Sequence, residues 1–302
     1  MLPITKQFTL FIMQWQGREE STNVEDRRGQ GGGFGGFSGG GCGLKGGIGT
    51  VVILLIIWAL GGNPMQYLGL VSGLTSGMDT QQTTTTLSEE DKKEGQFVSV
   101  VLKETEDVWT DIFQQMGKTY RKPTLVLYDG QTPSGCGTAQ SSTGPFYCPE
   151  DEKIYVDLSF FRQMDTQFHA GGDFAHAYVI AHEVGHHVQK LLGTLDQVNA
   201  MRARSSEKVS NELSVRTELQ ADFYAGVWAN HVEKYNVLDP GDIQEALNAA
   251  SAVGDDRLQK QAQGYVVPDA FTHGTSQQRY NWFNKGYKTG DMRQGDTFNN
   301  PI

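Results

Sequence analysis

His182-Glu183-Val184-Gly185-His186 is a short run whose residue types and spacing specify a metal, a base and a reaction together. On a helix, residues four apart share a face, so His182 and His186 would present two imidazoles to a single ion. Glu183 would stand about 100° round the same helix, close enough to take a proton from a water held there. The spacing H-E-x-x-H is that of a zinc site with a carboxylate general base. It requires a helix to carry it and a third ligand to complete it.

The sequence supplies both. Asp173 reads as the N-cap of a run that reaches Leu192 and stops at Gly193, which are standard start and stop signals. Phe174, Val179, Ile180, Val184, Val188, Leu191 and Leu192 give that helix an apolar side to bury. Gly185 inside it costs about 1 kcal/mol against alanine, and predicts a second backbone passing close to the site. The third ligand is expected from Glu218-Leu-Gln-Ala-Asp222, where two carboxylates fall four apart in a helical stretch over 206–235. Zinc accepts two imidazoles and one carboxylate while keeping a fourth position for water. A ligating histidine usually donates its other ring N–H to a carboxylate. Glu218 as ligand and Asp222 as the partner of a ligating histidine meet both needs from one turn of helix.

Longer stretches around these residues resemble the putative neutral zinc metallopeptidase family of bacterial membrane proteins. They are Met13-Gln-Trp-Gln-Gly-Arg18, Ser21-Thr-Asn-Val-Glu-Asp-Arg-Arg-Gly29, Gly144-Pro-Phe-Tyr-Cys-Pro149, Ala177-Tyr-Val-Ile-Ala-His-Glu-Val-Gly-His-His-Val-Gln189 and His273-Gly-Thr-Ser276. The Glu-x-x-x-Asp element is also similar to the gluzincin arrangement. The resemblance implies a zincin-like metallopeptidase domain hydrolysing peptide bonds, with His182, His186 and Glu218 on Zn2+.

The elements that must position this site read as α+β, mostly helical with a small sheet. Ser88-Glu-Glu-Asp91 opens a helix with a capping-box-like signal that runs towards Tyr120. Pro123–Asp129 and Lys153–Leu158 read as strands, and helices follow over 173–192, 206–235, 241–262 and 276–288. A strand ahead of the site helix could edge the cleft and pair with a substrate backbone. At 38% apolar and 20% charged residues the chain suits one catalytic domain with appendages. A net charge of −10 with no basic stripe argues against nucleic acid as a partner.

The appendages lie at the N-terminus. Residues 29–49 are mostly glycine, a composition that cannot bury a core. An apolar run, Ile48–Leu60, follows inside a stretch without charge from Gly46 through Met78. Thirteen strongly apolar residues are short of the ~20 a spanning helix takes. With flanking glycines and a snorkelling Lys45, residues 46–62 are expected to form one transmembrane anchor. Lys6, Arg18, Arg27, Arg28 and Lys45 precede it and the next basic residue is Lys92, so the basic flank is expected inside. The expected order is a flexible cytoplasmic segment over 1–45, the anchor over 46–62, a linker over 63–87 and a periplasmic or extracellular zinc domain over 88–302. Met13 is a candidate start, because residues 1–12 lie outside the resemblance. On an oxidising side Cys136 and Cys148 are expected to pair, closing a loop worth roughly 3 kcal/mol. Cys42 has no partner.

The chemistry that fits is hydrolysis of a peptide or protein substrate by a zinc-activated water. Glu183 is the general base. His273 is the candidate donor to the oxyanion, with Arg279 and Tyr178 behind it. His187 reads as a packed histidine, and His169, His176 and His231 as structural. Two other classes compete: a non-catalytic zinc-binding membrane assembly or scaffold protein, and a zinc hydrolase of amides that are not peptides. Glu183 favours turnover, because a non-catalytic site has no use for the base.

Overall fold

Apolar residues at Leu125–Leu127 and Ile154–Val156 build the parallel centre of a four-stranded sheet, in a computed structural model that describes residues 13–29 and 87–302. The strands are β1 (Val24–Asp26), β2 (Thr124–Leu127), β5 (Phe146–Cys148) and β6 (Lys153–Val156), in the order β1-β2-β6-β5. The first three in that order run parallel, while β5 lies antiparallel to β6 and forms one edge. Strands β3 (Gln131–Ser134) and β4 (Gly137–Gln140) make a separate hairpin. The expected disulfide, Cys136–Cys148, ties the turn of that hairpin to β5.

The helices carry most of the core. Helix α1 (Glu89–Gln115) begins with the expected capping box between Ser88 and Asp91. It ends before Tyr120, where Gly117 adopts a left-handed backbone (φ 68°). A short α2 (Ser159–Gln163) leads to α3 (Asp173–Leu191), followed by α4 (Thr194–Arg202) and α5 (Glu207–Glu233). The chain continues through α6 (Asp242–Ala252), α7 (Asp255–Gln263) and α8 (Ser276–Thr289). α5 packs against α1, α3 and α8, with Trp109, Phe174, Phe223, Trp228 and Phe283 buried around it. α5 and α8 cross at paired glycines. A Cβ on Gly226 would sit 2.0 Å from the Phe283 carbonyl oxygen, and one on Gly286 would sit 2.1 Å from that of Phe223.

Four expectations are corrected. Asp173 is the first residue of α3 and not its cap; Gly172 holds the N-cap with φ 121°, and the Asp173 carboxylate accepts the Trp15 indole N–H. The stretch 241–262 is two helices. They part at Gly254, where any side chain would collide with the backbone at Ser276, 2.3 Å from a built Cβ. Helix α4 fills a connection that carried no expected element.

The largest correction concerns the N-terminal segment, which was expected to stand apart from the zinc domain. Residues 13–28 belong to the same compact unit as the domain. Met13 and Trp15 are buried in its core, the Gln14 N–H donates to the Val237 carbonyl, and β1 pairs with β2. Val24-Glu25-Asp26 is too short and too charged to register as a strand by periodicity, and the neighbouring glycine tract disguised it further. The expected anchor over 46–62 lies outside the described residues. Among those described, no helix is long and apolar enough to cross a membrane.

Candidate metal centre

Helices α3 and α5 pack closely enough to join the two halves of the site, and Gly185 is the reason. A Cβ there would lie 2.9 Å from the Ala221 carbonyl oxygen and 3.1 Å from its Cα. The close passage expected from that glycine is therefore with the helix that carries Glu218 and Asp222. His182 Nε2 approaches Glu218 Oε2 at 3.2 Å, and His186 Nε2 approaches Glu218 Oε1 at 3.5 Å. One donor atom from each of the three residues lies within 4.8 Å of the others. Zinc bonds of 2.0–2.1 Å in a tetrahedron set donor atoms about 3.3 Å apart, so the set fits a zinc ion held by two imidazoles and a carboxylate.

The other nitrogen of each ring is engaged. His182 Nδ1 faces Asp222 Oδ1 at 2.9 Å, and His186 Nδ1 faces Gln189 Oε1 at 2.9 Å. Both acceptors require Nδ1–H, which leaves each Nε2 lone pair pointing at the shared centre. Gln189 is fixed in turn, donating to the Thr217 carbonyl and to Gln220 Oε1. Asp222, fully buried, accepts from the Tyr178 hydroxyl at 2.5 Å and from Arg279 through Nε at 2.8 Å and Nη2 at 3.0 Å. Tyr178 and Arg279, expected behind His273 as oxyanion donors, thus hold a carboxylate in place.

Electrostatics follow this geometry. Burial disfavours a charged ring at His182, but Asp222 and Glu218 outweigh it and push His182 up to about 10. At His186 burial likewise opposes the charge and Glu218 overcomes it, raising the ring above its ordinary value. Burial would raise Glu218, yet the two histidines hold it well below the usual carboxylate range. Two imidazole nitrogens and a carboxylate deep in one site compete for protons as a metal ligand set does.

Glu183 and His273 line the same cleft, about 540 Å³ in volume, as His182, His186 and Glu218. Glu183 is buried, and among the described residues no hydrogen bond engages its carboxylate. His273 keeps about half of its side chain exposed. The Asp255 carboxylate collects the N–H groups of Thr272, His273 and Gly274 and meets His273 Nδ1 at 3.2 Å. That hydrogen bond raises His273 above its ordinary value against burial. Phe146, Tyr147, Phe160, Leu195 and Leu258 add apolar lining to the cleft, and the first two place edge strand β5 along it.

Of the remaining histidines, His169 is exposed and the other three are held in the scaffold. His187 is buried, with Nε2 on the Arg121 carbonyl and Nδ1 on the Tyr147 hydroxyl, and burial lowers it. His176 stacks on Phe161 at 4.4 Å, and His231 Nε2 meets the Gly290 carbonyl. Gln189 and Asp255 carried no expected role. Gln189 falls three residues after His186, the spacing of helix neighbours, which is the signal that was there to use. Nothing in sequence links Asp255 to His273.

Comparison with known proteins agrees with the site. The family model described as "Putative neutral zinc metallopeptidase" matches residues 13–298. The chain is 50% identical over 290 residues to "Uncharacterized protein YpfJ" of Escherichia coli K12, covering 96% of this chain and all of that protein. It is 48% identical over 190 residues to "Uncharacterized protein Rv2575" of Mycobacterium tuberculosis H37Rv, covering 59% of this chain and 63% of that protein. No solved structure matches.

Proposed function

We propose, from the premise that this chain belongs to the putative neutral zinc metallopeptidase family, that it is a membrane-associated zinc-dependent endopeptidase. The observation that carries the reading is the convergence of His182 Nε2, His186 Nε2 and Glu218 on one point beside an unengaged Glu183. His182, His186 and Glu218 would hold the ion, and zinc bound there would polarise a scissile carbonyl and bring the pKa of water towards neutrality. Glu183 accepts the proton of the attacking water and passes it to the leaving amine nitrogen. His273, held at Nδ1 by Asp255, donates to the oxyanion as the carbonyl becomes tetrahedral. The edge of β5 offers backbone hydrogen bonds to an extended substrate, and the apolar lining of the cleft receives an apolar side chain. Asp222 and Gln189 hold the two imidazoles in the ligating tautomer.

The uncharged stretch over 46–78 supports attachment to a membrane, and the Cys136–Cys148 disulfide supports an oxidising side for the domain. The test is a comparison of purified wild type, Glu183→Gln and Glu218→Ala on a quenched fluorescent peptide library, with zinc measured in each. Wild type and Glu183→Gln should carry one zinc and Glu218→Ala none. Cleavage should fall by at least ~10²-fold in Glu183→Gln, the usual scale of acid–base catalysis. Equal cleavage by wild type and Glu183→Gln would refute the mechanism.

A further inference from the structure

The side of the cleft built by α7 runs out into an apolar loop. Leu258 of α7 and His273 both line the cleft. Between them the chain leaves the helix at Gly264, whose left-handed backbone (φ 82°) ends it. Tyr265, Val266 and Val267 follow, 61%, 38% and 39% exposed. The other large apolar side chains that stand exposed among the described residues, Met116, Met201, Val209 and Tyr235, are scattered along the sequence. Single exposed apolar residues are ordinary, but an adjoining group rimmed by polar residues marks a surface that meets a partner.

The loop is braced at its base. The Val267 N–H donates to Gln259 Oε1 at 2.8 Å, and Gln263 Nε2 donates to the Tyr265 carbonyl at 3.3 Å. A 3-10 turn, Pro268–Ala270, then leads to the buried ring of Phe271. Helix α5 grips that turn: Lys208 pairs with Asp269 at 2.9 Å, and Asn211 Nδ2 donates to the Asp269 carbonyl at 3.0 Å. With the backbone fixed from both sides, little conformational freedom is left to lose when the apolar side chains are covered.

The same contacts set the loop's distance from the metal ligands. Lys208 and Asn211 precede Glu218 by ten and seven residues, about 15 and 10 Å along the helix. An extended chain advances ~3.3 Å per residue. A polypeptide lying over Glu218 therefore reaches the loop about three to five residues from the scissile bond. On the peptidase reading of the cleft, we propose that Tyr265–Val267 is a second binding site for extended apolar polypeptide, continuous with the cleft, so that the protein takes unfolded chains in preference to short peptides. The surroundings suit a polypeptide better than a lipid surface. Charges over 256–270 cancel, Asp256 and Asp269 against Arg257 and Lys260, and Gln259, Gln261 and Gln263 supply neutral carboxamides suited to a peptide backbone. A loop built for lipid headgroups would carry an excess of Lys and Arg.

The test measures binding without turnover. Full-length, zinc-loaded Glu183→Gln is titrated into fluorescent reduced and carboxymethylated α-lactalbumin, a permanently unfolded chain, and into a fluorescent dileucine hydroxamate, which ends short of the loop. Adding Tyr265→Ser, Val266→Ser and Val267→Ser should weaken the unfolded chain at least ~10-fold and leave the hydroxamate unchanged. Met116→Ser with Tyr235→Ser, which removes exposed apolar side chains elsewhere, should change neither. Unchanged affinity of the triple variant for the unfolded chain would overturn the proposal, as would an equal loss for the hydroxamate or an equal loss in Met116→Ser with Tyr235→Ser. So would a triple variant that keeps the unfolded chain but loses binding to vesicles of phosphatidylglycerol and phosphatidylethanolamine, because the loop would then be a lipid contact. A wild type that cuts nothing would sink the peptidase reading and leave this binding readout standing, so the two failures are distinguishable.

Discussion

Replacing Gly185 by alanine separates helix propensity from site geometry, because the two act in opposite directions. Alanine in mid-helix is worth about 1 kcal/mol over glycine. The new methyl would sit 2.9 Å from the Ala221 carbonyl oxygen, where ordinary contact begins near 3.4 Å. The backbones must then part by about 0.5 Å, an overpacking that costs roughly 1–3 kcal/mol. Net destabilisation of the fold is thus between zero and about 2 kcal/mol. Zinc should feel the change more. Glu218 lies on the displaced helix, one turn from Ala221, and ligand distances tolerate only about 0.2 Å. We expect zinc affinity to fall at least ~10-fold, measured by competition with a chromophoric chelator. A tenfold loss is 1.4 kcal/mol, so the rise in Tm on adding saturating zinc should shrink by about 3–6 °C. A Tm raised in chelator-stripped Gly185→Ala, together with unchanged zinc affinity, would refute the claim that this contact sets the site.

Gln189→Ala removes the acceptor that orients His186 and should weaken zinc by about 10–100-fold in the same competition assay. Asp222→Asn leaves the buried Arg279 guanidinium without its counter-charge and should cost about 3–5 kcal/mol in denaturant unfolding, as breaking a buried pair does. Apparent zinc affinity should rise with pH from about 7 until His182 deprotonates near 10. Titration calorimetry at pH 8 in buffers of different ionisation enthalpy should accordingly show about one proton or more released per zinc. In the chelator-stripped protein the sign for stability is the reverse. A histidine raised by folding contributes fully below its ordinary value and loses that contribution as pH climbs through about 10.

What could be read from the sequence was whatever repeats at helical spacing. His182, Glu183 and His186 lie within one turn, and Glu218 and Asp222 within another, so each half of the site was legible as a face. Their union was legible through Gly185, whose cost inside a helix demands a compensating contact. The disulfide was legible because twelve residues separate its cysteines in a turn-rich segment. The unread parts depend on partners far along the chain. β1 is three residues whose register is set by β2 about a hundred positions later, a parallel pairing with no local turn to announce it. Gly254 reads as a tolerated helix glycine until the N-terminus of α8 is seen against it.

Arg279 shows why the site needs a third helix. Asp222 alone beside His182 would stabilise the imidazolium and set a proton against the metal for Nε2. The Arg279 guanidinium, bound to both Asp222 oxygens, lowers His182 while the carboxylate raises it. Asp222 can then accept the Nδ1 hydrogen without drawing a second proton onto the ring as strongly as a bare carboxylate would. The paired glycines 226 and 286 let α8 approach α5 closely enough for that pairing. The H-E-x-x-H motif therefore depends on a crossing of α5 and α8 that contributes no ligand: without the close approach the arginine could not reach, and the same two histidines would bind zinc against a higher proton barrier.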